Sequence, residues 1–298
     1  MKSLKRVLLW AGVWLQSALV LPAFAGGGMF TTYTHHLEAG EFEVMLMNDF
    51  TLPSQTKRDE EGQGNYFSQM LELEYAPTSQ WGLEAMAEAF QDVGTGDSKF
   101  TGYRLEARYR LFKKEIPLNP MVYVEYEDLD LETRYKMEVS GWIRPPYEED
   151  GEEPSRERII ESRAILSQDF ASWTAALNWI NESDLHSGET AFGYSMGLLY
   201  RLQGPHYQHH HGGTETGEKE EYRSSPFSIF RPAALGLELL GGLGDTQAFD
   251  IEPSRQEHYL QPSVMYHFGK EMMAHLGAAI GLSETSDNLI RFSWGWEF

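Results

Sequence analysis

Leu289-Ile-Arg-Phe-Ser-Trp-Gly-Trp-Glu-Phe298 is the stretch of sequence that decides the fold. Every second residue from Ile290 to Phe298 is apolar, most of them aromatic, and the residues between include Arg291 and Glu297. A period of two residues predicts a β-strand with one apolar and one polar face. Lipid-facing and lumen-facing positions alternate in this way in membrane barrels, so the pattern predicts a transmembrane strand.

The sequence ends on this strand, at Phe298. A terminal aromatic residue that closes an amphipathic strand resembles the assembly signal of Gram-negative outer-membrane β-barrels of the porin or transporter kind. The resemblance implies an outer-membrane location with both termini in the periplasm. It further implies lipid contact and recognition of the last strand by the barrel-assembly machinery. It implies neither a substrate nor a catalytic residue.

Residues 1–25 predict a cleaved secretory signal peptide. Lys2, Lys5 and Arg6 precede an apolar run at residues 7–21, and Ala23-Phe-Ala25 supplies an A-x-A cleavage site. The run of about 15 residues is shorter than the roughly 20 that a spanning helix needs. With the three basic residues removed, the formal charge of −21 becomes about −24.

The composition excludes several classes of function. The sequence has no cysteine, which excludes disulfides, thiol nucleophiles and thiolate metal sites. Its acidic charge argues against nucleic acid as a partner. The 8 Trp, 15 Tyr and 16 Phe fit a barrel, in which only alternate residues need be apolar, although a periplasmic β-sandwich would share much of this composition.

Alternation continues through residues 41–298 and predicts an all-β, antiparallel up-and-down barrel of about twelve strands. The predicted strands are 41–51, 66–76, 81–91, 103–111, 120–128, 157–167, 173–182, 190–202, 232–244, 257–268, 273–282 and 289–298. Residues 26–40 are predicted to be a periplasmic lead. With both termini periplasmic, the long polar loops 52–65 and 129–156 become extracellular, and a His-rich segment at 203–228 becomes periplasmic.

The inward face of the predicted strands is rich in charge, with acids about twice as numerous as bases. Rings of carboxylates favour cations, so one interpretation is a channel for small solutes with a cation preference. The other is a network of Arg and Glu that fills a narrow lumen and only stabilises the barrel. The candidate lumen residues are Glu43, Glu72, Glu74, Glu84, Glu88, Arg104, Glu106, Arg108, Arg110, Glu125, Glu127, Glu161, Arg163, Glu182, Arg201, Glu238, Arg291 and Glu297.

Histidines and methionines support an alternative, a metal-binding or metal-transporting barrel. No cofactor is required, but imidazoles on a polar segment can bind Cu²⁺, Zn²⁺ or Ni²⁺. The candidate ligands are His206, His209, His210 and His211, joined by His35 and His36 if these lie on the same side. A turn centred on Glu271 would place His267 opposite His275. Inward Met45, Met47, Met70, Met86 and Met265 would add thioether ligands for copper, although methionine more often fills gaps.

A barrel-embedded lipid hydrolase is the enzymatic alternative. Outer-membrane phospholipases with the same strand number pair a His and a Ser near the outer rim, and His186-Ser187-Gly188 lies in a predicted outer loop. The H-x-S-N-G pattern of that family is absent, and a nucleophile needs an oriented base. We therefore predict no catalytic residues and no enzyme activity.

Overall fold

The computed structural model describes residues 29–60, 62–131, 140–141, 156–202, 233–268 and 272–298. Within these residues the chain forms twelve strands and one short helix, α1, at Gln55–Glu60. The strands are β1 Phe42–Leu52, β2 Tyr66–Thr78, β3 Trp81–Asp92, β4 Ser98–Arg110, β5 Met121–Leu129, β6 Glu157–Phe170, β7 Trp173–Asp184, β8 Thr190–Arg201, β9 Ala233–Asp245, β10 His258–Phe268, β11 Met272–Gly281 and β12 Asn288–Glu297.

Each strand pairs antiparallel with its neighbours in sequence, and β1 pairs with β12 to close the barrel. At the closure Val44 lies opposite Trp296, and the backbones of Phe42 and Phe298 exchange hydrogen bonds of 3.3 and 2.8 Å. The predicted antiparallel up-and-down barrel is therefore confirmed. The alternation of apolar and polar residues predicts the strand positions well, because shifting a strand by one residue would turn all its apolar side chains into the lumen.

The outer surface of the barrel is apolar. Leu71, Leu73, Leu105, Val124 and Leu237 are each more than 40% exposed on it. Contiguous apolar exposure on this scale requires apolar surroundings. Among the described residues, no helix has the length and apolar character needed to span a bilayer.

Aromatic pairs line the outer surface at one end of the barrel, next to the short turns. Trp81 packs on Tyr109 with ring centroids 4.7 Å apart, and Trp173 packs on Tyr200 at 4.5 Å. Phe298 lies at this same end, 6.1 Å from the ring of Phe42. Rings collected at one level are typical of the aromatic girdle at a membrane interface.

Residues 29–37, here called the lumen segment, lie inside the barrel. The prediction that residues 26–40 form a lead outside the barrel is wrong for this part. Leu37 packs into a buried cluster with Met121, Tyr123 and Ile165. The chain then turns at Gly40, whose φ of 92° lies in the left-handed region that favours glycine, and enters β1. Strand alternation contains no information about a segment that is not itself a strand.

The opposite end of the barrel carries the connection between β1 and β2. We predicted a polar loop at residues 52–65, and α1 forms within it. The Nζ atom of Lys57 lies 2.6 Å from a carboxylate oxygen of Glu257 and 3.0 Å from one of Asp287. These two acids directly precede β10 and β12. Tyr259 donates a 2.5 Å hydrogen bond to the same Glu257.

The charges at this end shift each other's pKa values. Burial lowers the pKa of Lys57, but the two carboxylates more than offset this and hold it above its usual value. Burial raises the pKa of Glu257 to about 7, Lys57 opposes that shift and Asp287 adds to it. The loop is therefore fixed to the barrel by a buried ion cluster.

Candidate functional site

The barrel lumen is the candidate functional site, and the structure orients all the predicted lumen residues towards it. Arg104 and Arg291 are partly buried, and the others are buried. The opposite face of each strand carries the exposed apolar side chains of the outer surface. The charged side chains therefore share one enclosed space, and their part in selectivity stays a prediction.

Arginines on β4 and β6 pair with glutamates of their own strand and of β2, β3 and β5. Arg108 lies 2.6 Å from Glu74 and 2.7 Å from Glu106. Arg104 lies 2.5 Å from Glu88 and 3.1 Å from Glu127. On β6, Arg163 pairs with Glu161. Removing one partner from a buried pair leaves an uncompensated charge, so these pairs rigidify this part of the wall.

Tyr33 of the lumen segment lies between two of these arginines. The guanidinium of Arg108 is 4.8 Å from the centre of the Tyr33 ring, and that of Arg163 is 4.9 Å from it. The Tyr33 hydroxyl donates a 2.7 Å hydrogen bond to Glu106. Cation–π contacts on both faces and a charged acceptor fix the ring within the ion network.

Glu238 on β9 binds the backbone of the lumen segment. Its side chain is fully buried. The backbone N–H groups of Phe30, Thr31 and Thr32 donate to its two oxygens at 2.8, 2.9 and 2.8 Å, and the Thr31 hydroxyl donates at 2.7 Å. Gln261 adds a fifth hydrogen bond at 3.0 Å. A carboxylate with so many donors satisfies its buried charge, so Glu238 anchors the segment.

Asn178 on β7 forms a second anchor. It accepts a 2.8 Å hydrogen bond from the Tyr33 N–H and donates one of 2.9 Å to the Tyr33 carbonyl oxygen. These are the bonds that a neighbouring strand would supply. They satisfy backbone groups that the segment buries outside any sheet.

Glycines on the inner face of the barrel make room for the lumen segment. A Cβ atom on Gly197 would lie 2.2 Å from the sulfur of Met29, and one on Gly277 would lie 2.5 Å from the ring of Phe30. Ala191, Gly193 and Ser195 are also small on the inner face of β8. A Cβ at Gly197 or Gly277 would therefore collide with the segment as it lies in the barrel.

A cavity of about 200 Å³ remains beside the segment, mainly against β1–β3, with further lining from β4–β6 and β10–β12. Glu43 lines it, and its carboxylate is 2% exposed with no hydrogen bond to any described residue. Asp49 and Arg291 form a bidentate pair at 2.7 and 2.6 Å on the same wall. The cavity also contacts the sulfur-bearing residues Met29, Met45, Met47, Met70, Met86, Met265 and Met273.

The predicted histidine pair is wrong in register. Met265 lies opposite His275, and His267 lies opposite Met273, so the two histidines are diagonal neighbours. Both are buried, and His275 stacks on Phe30 with ring centroids 3.6 Å apart. The observed pairing of β10 with β11 is displaced by two residues from the one that would place His267 opposite His275. His206, His209, His210 and His211 lie outside the described residues, as do residues 1–25 and the whole His-rich segment 203–228.

The residues of the hydrolase alternative lie in an exposed turn. The carboxylate of Asp184 accepts the backbone N–H of His186 at 2.7 Å, and the Ser187 hydroxyl accepts the N–H of Glu189 at 3.2 Å. These bonds stabilise the turn between β7 and β8. The absence of enzyme activity stays a prediction.

The lumen segment and its two anchors, Glu238 and Asn178, are the part of the site that we did not predict. One signal for them is present in the sequence. The inward residues Ala191, Gly193, Ser195 and Gly197 of β8 are too small to fill a lumen. Such a row leaves space that another element of the chain can occupy.

Neither a protein-family model nor a curated protein matches the sequence. Among solved structures, an outer membrane channel from Pseudomonas putida F1 is similar, with a TM-score of 0.50 and 12% identity over 92% of this chain and 100% of that chain. The KdgM porin has a TM-score of 0.45 and 8% identity over 86% and 99%. The NanC porin has a TM-score of 0.47 and 7% identity over 85% and 98%. At these identities the likeness extends to the barrel fold alone.

Proposed function

We propose that this protein is an outer-membrane channel for small solutes, and that its lumen segment limits conduction. One observation carries the proposal: the barrel is apolar outside, and its charged interior retains a cavity beside the segment. A wall with an apolar exterior suits lipid, and a charged interior suits water and polar solutes.

The tight turns support one orientation of the barrel, to which the long connection between β8 and β9 is an exception. Residues 79–80 and 171–172 form tight turns at the end of the barrel where the last strand finishes, whereas 53–65 and 246–257 are longer and lie at the other end. Outer-membrane barrels have short periplasmic turns and longer extracellular loops. We therefore assign the C-terminus and the entry to β1 to the periplasmic end. The proposal includes a signal peptide cleaved after Ala25 and assembly through the strand that ends at Phe298.

We further propose that the channel prefers cations. The cavity wall carries Glu43, Glu72, Glu74, Glu84 and Glu88, and the arginines nearest to it already pair with several of these. Glu43 lacks such a pair among the described residues. A surplus of carboxylates along a narrow path favours cations over anions.

Planar-bilayer recording of the mature chain tests both parts. We expect small single-channel conductance and a reversal potential in a KCl gradient that indicates cation preference. Glu43→Gln, recorded at a pH that ionises this buried carboxyl, should lower the cation-to-anion permeability ratio by roughly two- to fivefold, since one charge is then removed from the cavity wall. Glu189→Gln, in the exposed β7–β8 turn, is the matched control and should change nothing. No conductance in wild-type or variant chains would contradict the channel, whereas conductance without selectivity would contradict only the cation preference.

The methionines support a second candidate, transport of a soft metal ion. Seven methionines and His275 contact one cavity, and thioethers and imidazole suit Cu⁺. Replacing Met45, Met47 and Met70 by Leu should abolish stoichiometric Cu⁺ binding while leaving KCl conductance within about twofold, because the volumes are similar. Unchanged Cu⁺ binding would leave the methionines as packing residues.

A further inference from the structure

His35, His36 and Asp169 come together where the lumen segment reaches the periplasmic end of β6. The Nε2 atom of His36 is 2.9 Å from Oδ2 of Asp169, and Nε2 of His35 is 4.0 Å from the same oxygen. One ligand atom from each of the three residues lies within 4.8 Å of the others. His35 is buried, and the other two side chains are 14% and 23% exposed.

Surrounding groups hold all three side chains in this arrangement. The hydroxyl of Ser167 lies 2.6 Å from Nδ1 of His35, and the hydroxyl of Thr34 lies 3.1 Å from Nδ1 of His36. In the metal-bound form each Nδ1–H would donate to its hydroxyl, and each Nε2 lone pair would be available to the ion. Metal-binding histidines have such an outer partner on the second ring nitrogen.

Asp169 is oriented in the same way. The hydroxyl of Thr174 donates a 2.5 Å hydrogen bond to its Oδ1 atom, and Arg201 donates a 2.7 Å hydrogen bond to Thr174. Oδ1 is thereby engaged on the side away from the histidines. Oδ2 is the carboxylate oxygen that faces both imidazoles.

We propose that His35, His36 and Asp169 form a binding site for a divalent cation of the zinc class, Zn²⁺, Co²⁺ or Ni²⁺. Two imidazole nitrogens and one carboxylate oxygen are suitable ligands for such ions, and a site with three protein ligands leaves a position for water. Zinc–ligand distances of 2.0–2.2 Å imply ligand atoms roughly 3.4 Å apart in a tetrahedral site. The His36–Asp169 distance must widen and the His35–Asp169 distance must shorten by about half an ångström each to reach this value.

Arg201 opposes a cation at this site, which makes the proposal easier to test. One of its nitrogens is 4.0 Å from Oδ1 of Asp169. Its charge lowers the affinity for a second positive charge nearby. Removing that charge should strengthen metal binding, whereas it would weaken a purely structural cluster that depends on Thr174 and Arg201 for its order.

The bound ion would join the lumen segment to the barrel wall. His35 and His36 belong to the segment, and Asp169 belongs to β6 close to its turn into β7. The ion would therefore fix the segment at its periplasmic end, as Glu238 does further into the lumen. The inference concerns metal binding and stands whether or not the barrel conducts.

Titration of the full mature chain with Co²⁺, followed by its visible absorption, tests the proposal. His206, His209, His210 and His211 are replaced by Asn in every sample so that they contribute no ligands. We expect one Co²⁺ per chain with an absorption spectrum of nitrogen and oxygen ligation, displaced by Zn²⁺. Asp169→Asn and His36→Ala should each weaken binding at least about tenfold, and Ser167→Ala should weaken it by about 10- to 100-fold.

Two further variants separate a metal site from a structural cluster. Arg201→Gln should tighten Co²⁺ binding severalfold, and His186→Ala, in the exposed β7–β8 turn, should leave it unchanged. The folded state of each variant is checked by its heat-dependent mobility on SDS gels. Absence of stoichiometric binding, or binding that Asp169→Asn does not alter, would overturn the proposal and leave a hydrogen-bonded His36–Asp169 pair.

Discussion

The inner faces of β1–β3 and of β7–β9 differ in the size and charge of their side chains. The β1–β3 face carries long glutamates and methionines, and the cavity lies against it. The β7–β9 face has Gly, Ala, Ser or Asn at about half of its inward positions, beside Glu182, Arg201 and Glu238, and residues 29–33 of the lumen segment lie against it. The Arg–Glu pairs of β4–β6 lie between the two.

This difference shows how one lumen accommodates both an inserted segment and a cavity. Small residues remove bulk where backbone must pack, and Glu238 and Asn178 satisfy its hydrogen-bonding groups. Long charged residues keep the opposite wall polar without closing it. The anchored segment should therefore control how much of the lumen conducts.

Glu238→Ala should have the largest effect on this arrangement. The substitution removes the acceptor of four hydrogen bonds from residues 30–32, and bonds to a charged group contribute about 1.5–3 kcal/mol each. The segment should leave the β7–β9 face, and single-channel conductance in planar bilayers should rise severalfold.

Glu182→Ala is the matched control for that variant. Glu182 is equally buried, on the inner face of β7, and its described hydrogen bonds come from Ser140 rather than from the lumen segment. Its removal should leave conductance within about twofold, since the lumen segment keeps Glu238 and Asn178 as its anchors. Equal increases in both variants would show that lost charge, and not segment release, opens the barrel.

Lys57→Met tests the buried ion cluster of Lys57, Glu257 and Asp287, which joins α1 to the starts of β10 and β12. Removing one partner of a buried ion cluster costs about 3–5 kcal/mol, because Glu257 and Asp287 lose their counter-charge. The thermal unfolding temperature, measured by heat-dependent gel mobility, should fall.

The loss of stability in Lys57→Met should be larger at pH 8 than at pH 5. The folded-state pKa of Glu257 is raised to about 7, above an ordinary value near 4.5. Between these values the folded protein keeps a proton that the unfolded chain has released, so rising pH disfavours folding. At pH 5 Glu257 is neutral and needs Lys57 less. Lys99→Met, which breaks an exposed pair with Asp130, should cost under about 1 kcal/mol at both pH values.

Tyr33→Phe should give the smallest effect. It removes the hydrogen bond to Glu106 but keeps the ring between Arg108 and Arg163. We expect a loss of about 1 kcal/mol in unfolding free energy and unchanged conductance. A large conductance increase would mean that this one bond, rather than Glu238, retains the segment.

Strand positions could be predicted from the sequence because burial on one face imposes a period of two. The predicted strand at 173–182 is observed as Trp173–Asp184, and the strand at 257–268 as His258–Phe268. The diagonal relation of His267 and His275 could not be predicted. Periodicity determines which face of the sheet a residue occupies, but not which residue lies opposite it on the next strand.

The lumen segment was missed for a related reason. Residues 29–37 have no period, and their backbone is satisfied by side chains from β7 and β9 that are distant in sequence. The pairing of Arg108 with Glu74 and Glu106 likewise depends on strand register. Residue types alone indicated a charged lumen but not which charges are compensated.

A reversible tether in the Glu238→Ala chain tests the central claim, that the lumen segment limits conduction. The natural sequence has no cysteine, so Thr32→Cys with Gly197→Cys introduces a single thiol pair. A Cβ on Gly197 would lie 3.1 Å from Cβ of Thr32, close to the spacing of about 3.8 Å in disulfides, and Met29→Ala removes the competing sulfur. Oxidised channels should show low conductance that rises severalfold on reduction. Equal conductance in the two states, with the disulfide verified by mass spectrometry, would contradict the account.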